Sequence, residues 1–167
     1  YAAYCNLTSL PPLPAGLTYF HIYNNPLLPA LTSLPTGLQV LSCSYNNWSS
    51  LPALAPTIKF LTCDHNQFTA LPALPDSLYN LICSDNLLTS LPALPVKTNT
   101  IWCQNNSITQ LPPLPDSLTY LNCSYNPLTS LSSFPSKLQT LVATNCDINY
   151  FTSLPSSVTA ASLRYNN

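Results

Sequence analysis

The sequence predicts a right-handed parallel β-solenoid with little α-helix, and three observations carry that expectation. A 20-residue spacing runs through most of the 167 residues, apolar and polar residues alternate in one short stretch of each unit, and paired prolines follow that stretch. Eighteen prolines against two glycines would describe a disordered linker if they were scattered, but here they recur at fixed places in the unit.

Counted from Leu41 as position 1, Leu61, Leu81, Ile101, Leu121, Leu141 and Ala161 follow at intervals of 20 residues. Positions 1 and 3 are apolar, whereas positions 20, 2 and 4 vary, which is the period-2 pattern of a short strand with one buried face. Stacked copies would pair these strands in parallel along one concave side. Parallel neighbours need a crossover, and a 20-residue turn leaves too few residues for a full helix once strand and bends are counted. The return segment, as in Leu71-Pro72-Ala73-Leu74-Pro75-Asp76-Ser77-Leu78, also forbids one. Its two prolines remove amide donors and keep the chain extended, near polyproline II or in a single turn. Asp76 and Asp116 stand at equivalent turn positions, where a carboxylate can bond nearby backbone.

Run from one unit into the next, Leu78-Tyr79-Asn80-Leu81-Ile82-Cys83-Ser84-Asp85-Asn86-Leu87-Leu88 reads L-x-x-L-x-C-x-x-N-x-L, the leucine-rich repeat signature. The chain resembles the short-repeat bacterial members of that family, whose LPxLPxxLxxLxxxxNxLxxLP units occur in secreted effectors of the YopM and IpaH type. The resemblance spans essentially all of residues 1–167, as a single array of about eight 20-residue repeats. It implies a leucine-rich repeat solenoid with strands inside and extended segments outside. It implies no particular partner, because such arrays bind unrelated ligands. Some effector relatives carry a separate ubiquitin-ligase domain beyond their repeats, and that activity is not implied for these residues.

Position 6 is Asn, where the chain leaves the strand and an amide can satisfy backbone groups of adjacent coils. The expected ladder is Asn6, Asn25, Asn46, Asn66, Asn86, Asn106, Asn126 and Asn166, with Cys146 as a weaker rung, since a thiol is a poorer partner than an amide. The first two intervals, 19 and 21 residues, depart from the regular spacing. Position 3 holds Cys43, Cys63, Cys83, Cys103 and Cys123, and equivalent places hold Ala3, Ile22, Ala143 and Leu163. A site that accepts any modest apolar residue uses cysteine as a small hydrophobe, so buried free thiols are expected rather than disulfides. A straight row with no C-x-x-C pair cannot converge four ligands on a metal, and no metal or cofactor is expected.

Only 5% of residues are charged and the net charge is −1, without a basic cluster, which argues against nucleic acid and anionic membranes as partners. No apolar run approaches the roughly 18 residues of a spanning helix, so direct membrane insertion is not expected. The one grouping of carboxylate with imidazole is Asp64, His65 and Asp85. Adjacent strand residues point to opposite sides and no nucleophile motif accompanies them, so the expectation is a solvated strand edge and no enzyme activity. Asp76-Ser77-Leu78 and Asp116-Ser117-Leu118 also resemble an O-glycosylation acceptor tripeptide.

Information about a partner must lie in positions the repeat leaves free. On the concave face these place Tyr19, His21, Tyr45, Phe60, His65, Ile82, Trp102, Tyr120 and Tyr125 in a strip with almost no charge, the composition of a recognition face. The expected partner is another protein, with a glycan stacked on Trp102 and Tyr120 and bonded by Asp64, Asn80, Gln104 and Asn122 as the alternative, and a structural spacer as a third reading. Neither end carries a polar capping unit, so flanking domains of a longer chain are expected. The low charge and abundant Ser, Thr and Asn point to secretion or the bacterial cell surface, with adhesive or virulence roles, or else to delivery into a host cell.

Overall fold

The computed structural model describes residues 2–3 and 5–167. Each repeat contributes one strand of two to five residues to the main sheet, followed by a bend and an extended return. The strands are β1 (Ala2–Ala3), β2 (Tyr19–Tyr23), β3 (Val40–Ser42), β4 (Phe60–Thr62), β5 (Asn80–Ile82), β6 (Thr100–Trp102), β7 (Tyr120–Asn122), β8 (Ser130–Leu131), β9 (Thr140–Val142), β10 (Tyr150–Phe151) and β11 (Ala160–Ser162). Among the described residues, nine of them form one parallel sheet in the order β1-β2-β3-β4-β5-β6-β7-β9-β11, and β8 pairs with β10 on the far side of two adjacent coils. No helix among the described residues is long and apolar enough to cross a membrane. The fold is the leucine-rich repeat solenoid expected from the repeat.

In-register pairing follows from the buried face. Leu41, Leu61, Leu81, Ile101, Leu121 and Leu141 are fully buried and stand opposite one another, coil after coil. A one-residue slip would turn each of them to solvent. The return segments close with a tight turn in which the residue at position 18 donates its N–H to the carbonyl three positions earlier, as in Leu78 to Pro75 at 2.9 Å and Leu118 to Pro115 at 3.0 Å. Proline carries a carbonyl but no amide, so it serves here as acceptor only.

Behind that turn lies a second ladder that the repeat did not announce. Thr57 Oγ1 donates to Thr36 O and Leu38 O, Ser77 Oγ reaches Pro56 O and Ile58 O, and Ser117 Oγ reaches Val96 O and Thr98 O. The hydroxyls of Ser77 and Ser117, half-buried, tie each coil to the one before it. That gives the two Asp-Ser-Leu tripeptides a backbone role that a glycan on the serine oxygen would abolish.

The asparagine ladder works by one repeated geometry. Asn86 Nδ2 donates to Cys83 O of its own coil at 3.2 Å and to Cys63 O of the preceding coil at 3.1 Å, while its Oδ1 accepts the Phe68 N–H at 3.0 Å. Asn66, Asn106, Asn126 and Asn166 repeat the pattern, each amide donating to both coils and accepting an N–H from the previous one. Asn46 donates to Ile22 O and Cys43 O and accepts the Asn25 N–H; Asn25 in turn accepts the Leu7 N–H.

Asn6 does not belong to this series. The pairing of Ala2, rather than Ala3, with Ile22 sets the first coil one residue out of the expected register, and counting on puts Cys5 opposite Asn25. Asn6 lies one place further, exposed, at φ 49°. The physical reason is the short first interval: strand pairing keeps its own register, and the missing residue is taken up at the bend.

Cys146 stands in the remaining gap. Its Sγ reaches Cys123 O at 3.5 Å and Thr144 O at 3.8 Å, but it supplies no acceptor for the Leu128 N–H, which turns instead to Asn126 O at 2.8 Å. Cys146→Asn should restore the amide rung and raise stability by about 1 kcal/mol, measured as a higher denaturant midpoint with an unchanged slope.

Cys43, Cys63, Cys83, Cys103, Cys123 and Cys146 are free thiols. Cys5 is exposed and the other six are buried. Desolvation pushes the thiols of Cys43, Cys63 and Cys83 far up, and that of Cys103 to about 12. Cys146 is the exception: its hydrogen bond with the Cys123 thiol holds it below the usual thiol range. Alkylation of the native protein near neutral pH should therefore label Cys5 first and Cys146 next. The five position-3 thiols should react only after denaturation, and a peptide-resolved mass time course reads the order.

Candidate functional site

The sheet positions between the buried rows form a continuous concave surface. Tyr19, Tyr45, Phe60, His65, Trp102 and Tyr125 are exposed there, and His21, Ile82 and Tyr120 are half-buried. Ile82 is the register partner of Trp102, so one coil separates them. Trp102 stacks on Tyr120, with centroids 5.4 Å apart and planes at 21°, while Phe60 packs edge-on against Tyr79 at 6.2 Å. Tyr79 was not legible as part of the strip, because it precedes the strand at a position the period-2 pattern does not assign.

Beyond the strands the backbone does something the repeat alone did not reveal. Position 5 is left-handed in coil after coil, at Asn24, Tyr45, His65, Asp85, Asn105, Tyr125, Asn145 and Tyr165, with φ between 51° and 59°. Asn and Asp tolerate this region, whereas a tyrosine there is strained. Neither glycine is used for it.

That left-handed bend corrects the expectation for Asp64, His65 and Asp85. With β4 ending at Thr62, the alternation of sides stops, and the three side chains meet. His65 Nε2 lies 3.7 Å from Asp64 Oδ2 and 3.5 Å from Asp85 Oδ2. Each carboxylate is oriented by its other oxygen: Asp64 Oδ1 accepts the Ser44 hydroxyl at 2.5 Å, and Asp85 Oδ1 accepts Asn105 Nδ2 at 2.8 Å. Tyr45 lies flat on His65, centroids 4.1 Å apart. Beside them Ser84 is 2% exposed. Its Oγ, the Oε1 of Gln104 and, at the other end of β5, the Oδ1 of Asn80 are buried without a hydrogen-bond partner. Among the described residues no group of His, Cys, Asp or Glu is arranged to hold a metal ion.

The family profile that matches is Leucine Rich Repeat, over residues 117–141. Among solved structures, YopM from Yersinia enterocolitica WA-314 is similar over 90% of this chain at 30% identity and a TM-score of 0.71. This chain covers 38% of that protein's length. A Shigella effector LRR domain is 27% identical with a TM-score of 0.73, covering 90% of this chain and 71% of that domain. No curated protein sequence matches. Repeat domains of this kind are generally protein-interaction modules. The chain is thus a leucine-rich repeat solenoid in fold, and it is similar to YopM and to the repeat domain of the Shigella effector.

Proposed function

We propose that this chain is a non-catalytic recognition module of a secreted or surface-exposed bacterial protein, and that it binds a protein partner through the concave sheet, as part of a longer chain. One observation carries the reading: exposed aromatic rings occupy concave positions where packing does not ask for them. Tyr125 holds left-handed backbone at φ 54° although Asn would fit it with less strain, and its ring is about half exposed. Local rules broken without a packing gain are expected where a residue serves a ligand. Tyr125→Asn should accordingly stabilise the fold by about 1 kcal/mol and weaken partner binding; a loss of stability would instead assign the ring to packing.

Selection of a random dodecapeptide library on the immobilised protein, run beside a glycan array, tests the reading. Peptides whose binding fails on Trp102→Ala support a protein partner docked on the strip. Glycan signals with no enriched peptide would support the carbohydrate reading, and silence in both would leave the solenoid as a spacer.

A further inference from the structure

The Asp64–Asp85 pair is built to receive something. In each carboxylate one oxygen is held by a neighbouring donor, and the two remaining oxygens converge on a single point, His65 Nε2. At 3.7 and 3.5 Å both lie beyond a good hydrogen bond, so neither acceptor is satisfied there. The neighbouring row adds an independent sign. Position 4 places Asp64, Ser84 and Gln104 side by side on successive coils, about 4.8 Å apart. Ser84, 2% exposed, has an orphaned Oγ, and Gln104 an orphaned Oε1. Buried polar atoms without partners are uncommon in native proteins and call for an explanation.

The chain's own cations are elsewhere. Of its four Lys and Arg, Lys97 and Lys137 lie at the convex turn, Lys59 beside Gln39 at the opposite end of the strand, and Arg164 in the last coil. Among the described residues the only ion-pair contacts are those of His65. What converges is therefore a set of acceptors, next to a flat aromatic stack of Tyr45 on His65.

We propose that Asp64 and Asp85, backed by the polar row of Ser84 and Gln104, form the receiving site for an Arg side chain of the partner, whose neighbouring apolar residues dock on Phe60, Ile82 and Trp102. Planar, forked and weakly hydrated, a guanidinium can bond two carboxylates at once and extend an aromatic stack, which a lysine ammonium cannot. The inference rests on the concave-face reading and specifies the chemistry of its partner: an extended protein segment with an Arg a few residues from an aromatic or aliphatic anchor.

The test uses peptides selected on the wild-type protein. Binders are resynthesised with each Arg replaced by citrulline, its neutral near-isostere, and affinities are measured on wild type and on Asp64→Asn/Asp85→Asn. Both substitutions keep an acceptor for Ser44 and Asn105, and Asn already occupies the same left-handed position at Asn24, Asn105 and Asn145. The expected result is at least about a tenfold loss with citrulline on wild type and almost none on the double variant. Should the double variant not fold, Asp85→Asn alone carries the comparison. Binders that require Trp102 but contain no basic residue, or that tolerate citrulline, would overturn the acidic site and leave the concave reading standing. An equal citrulline penalty on both proteins would place the Arg elsewhere and overturn it too. Failure to select any peptide would remove both.

Discussion

Asn86→Ala is expected to lower the stability of the solenoid by about 3 kcal/mol, more than any substitution of an exposed residue. The Asn86 side chain accepts the Phe68 N–H and donates to Cys63 O, Cys83 O and Ser84 O, all in the interior. Alanine leaves the Phe68 amide buried with no acceptor, and an unsatisfied buried donor costs about 1–3 kcal/mol by itself. The carbonyls lose a shared donor as well, and a small cavity opens beneath Phe68, which is fully buried. Because each coil contacts only its neighbours, the loss falls on the interface between this coil and the preceding one. For a chain of this size the shift in Tm should be about 6–12 °C. Asn106→Ala should cost less, since Asn106 is half-buried and water can reach its partners. Gln110→Ala, at an exposed convex position, should stay within about 0.5 kcal/mol. Thermal and urea unfolding of the three variants measure the order, and equal losses at positions 86 and 106 would contradict burial as the cause.

Trp102→Ala is expected to separate binding from stability. The indole is 37% exposed, stands opposite Ile82 and stacks on Tyr120, and its side chain points away from the core. Folding should therefore lose only about 1 kcal/mol, the value of an aromatic pair plus partial burial. A central aromatic anchor in an interface typically carries about 2 kcal/mol or more, so affinity for a selected peptide should fall at least about thirtyfold. Isothermal titration beside a melting curve reads both quantities from one preparation. A variant that melts far earlier would make Trp102 a packing residue, and one that binds at full strength would move recognition to the convex face or the loop edge.

How much of this was legible in the sequence differs between the core and the site. The strand positions, the extended Pro-bearing returns and most of the Asn ladder could be read from spacing, because a repeat that stacks on itself must bury the same positions in every coil. Asn6 was misplaced by one residue, since a count of asparagines cannot show whether an irregular interval is absorbed by the strand or by the bend. The Ser77 and Ser117 ladder went unread for a related reason. A serine before a leucine looks like turn chemistry until the preceding coil's carbonyls are seen beneath it.

Sequence alone determined the architecture: a one-dimensional stack has its contacts prescribed by period, and local propensity, proline placement and apolar alternation agree on them. Tertiary structure decided where the polar side chains of the loop edge point. The left-handed residue at position 5 ends the alternation of the strand, and its effect depends on the coil on either side. Asp64 and His65 are neighbours in the chain, but Asp85 reaches them only because parallel in-register stacking places residue 85 beside residue 65. Periodicity specifies which residues share a row; the backbone dihedral at the end of each strand specifies which way that row faces.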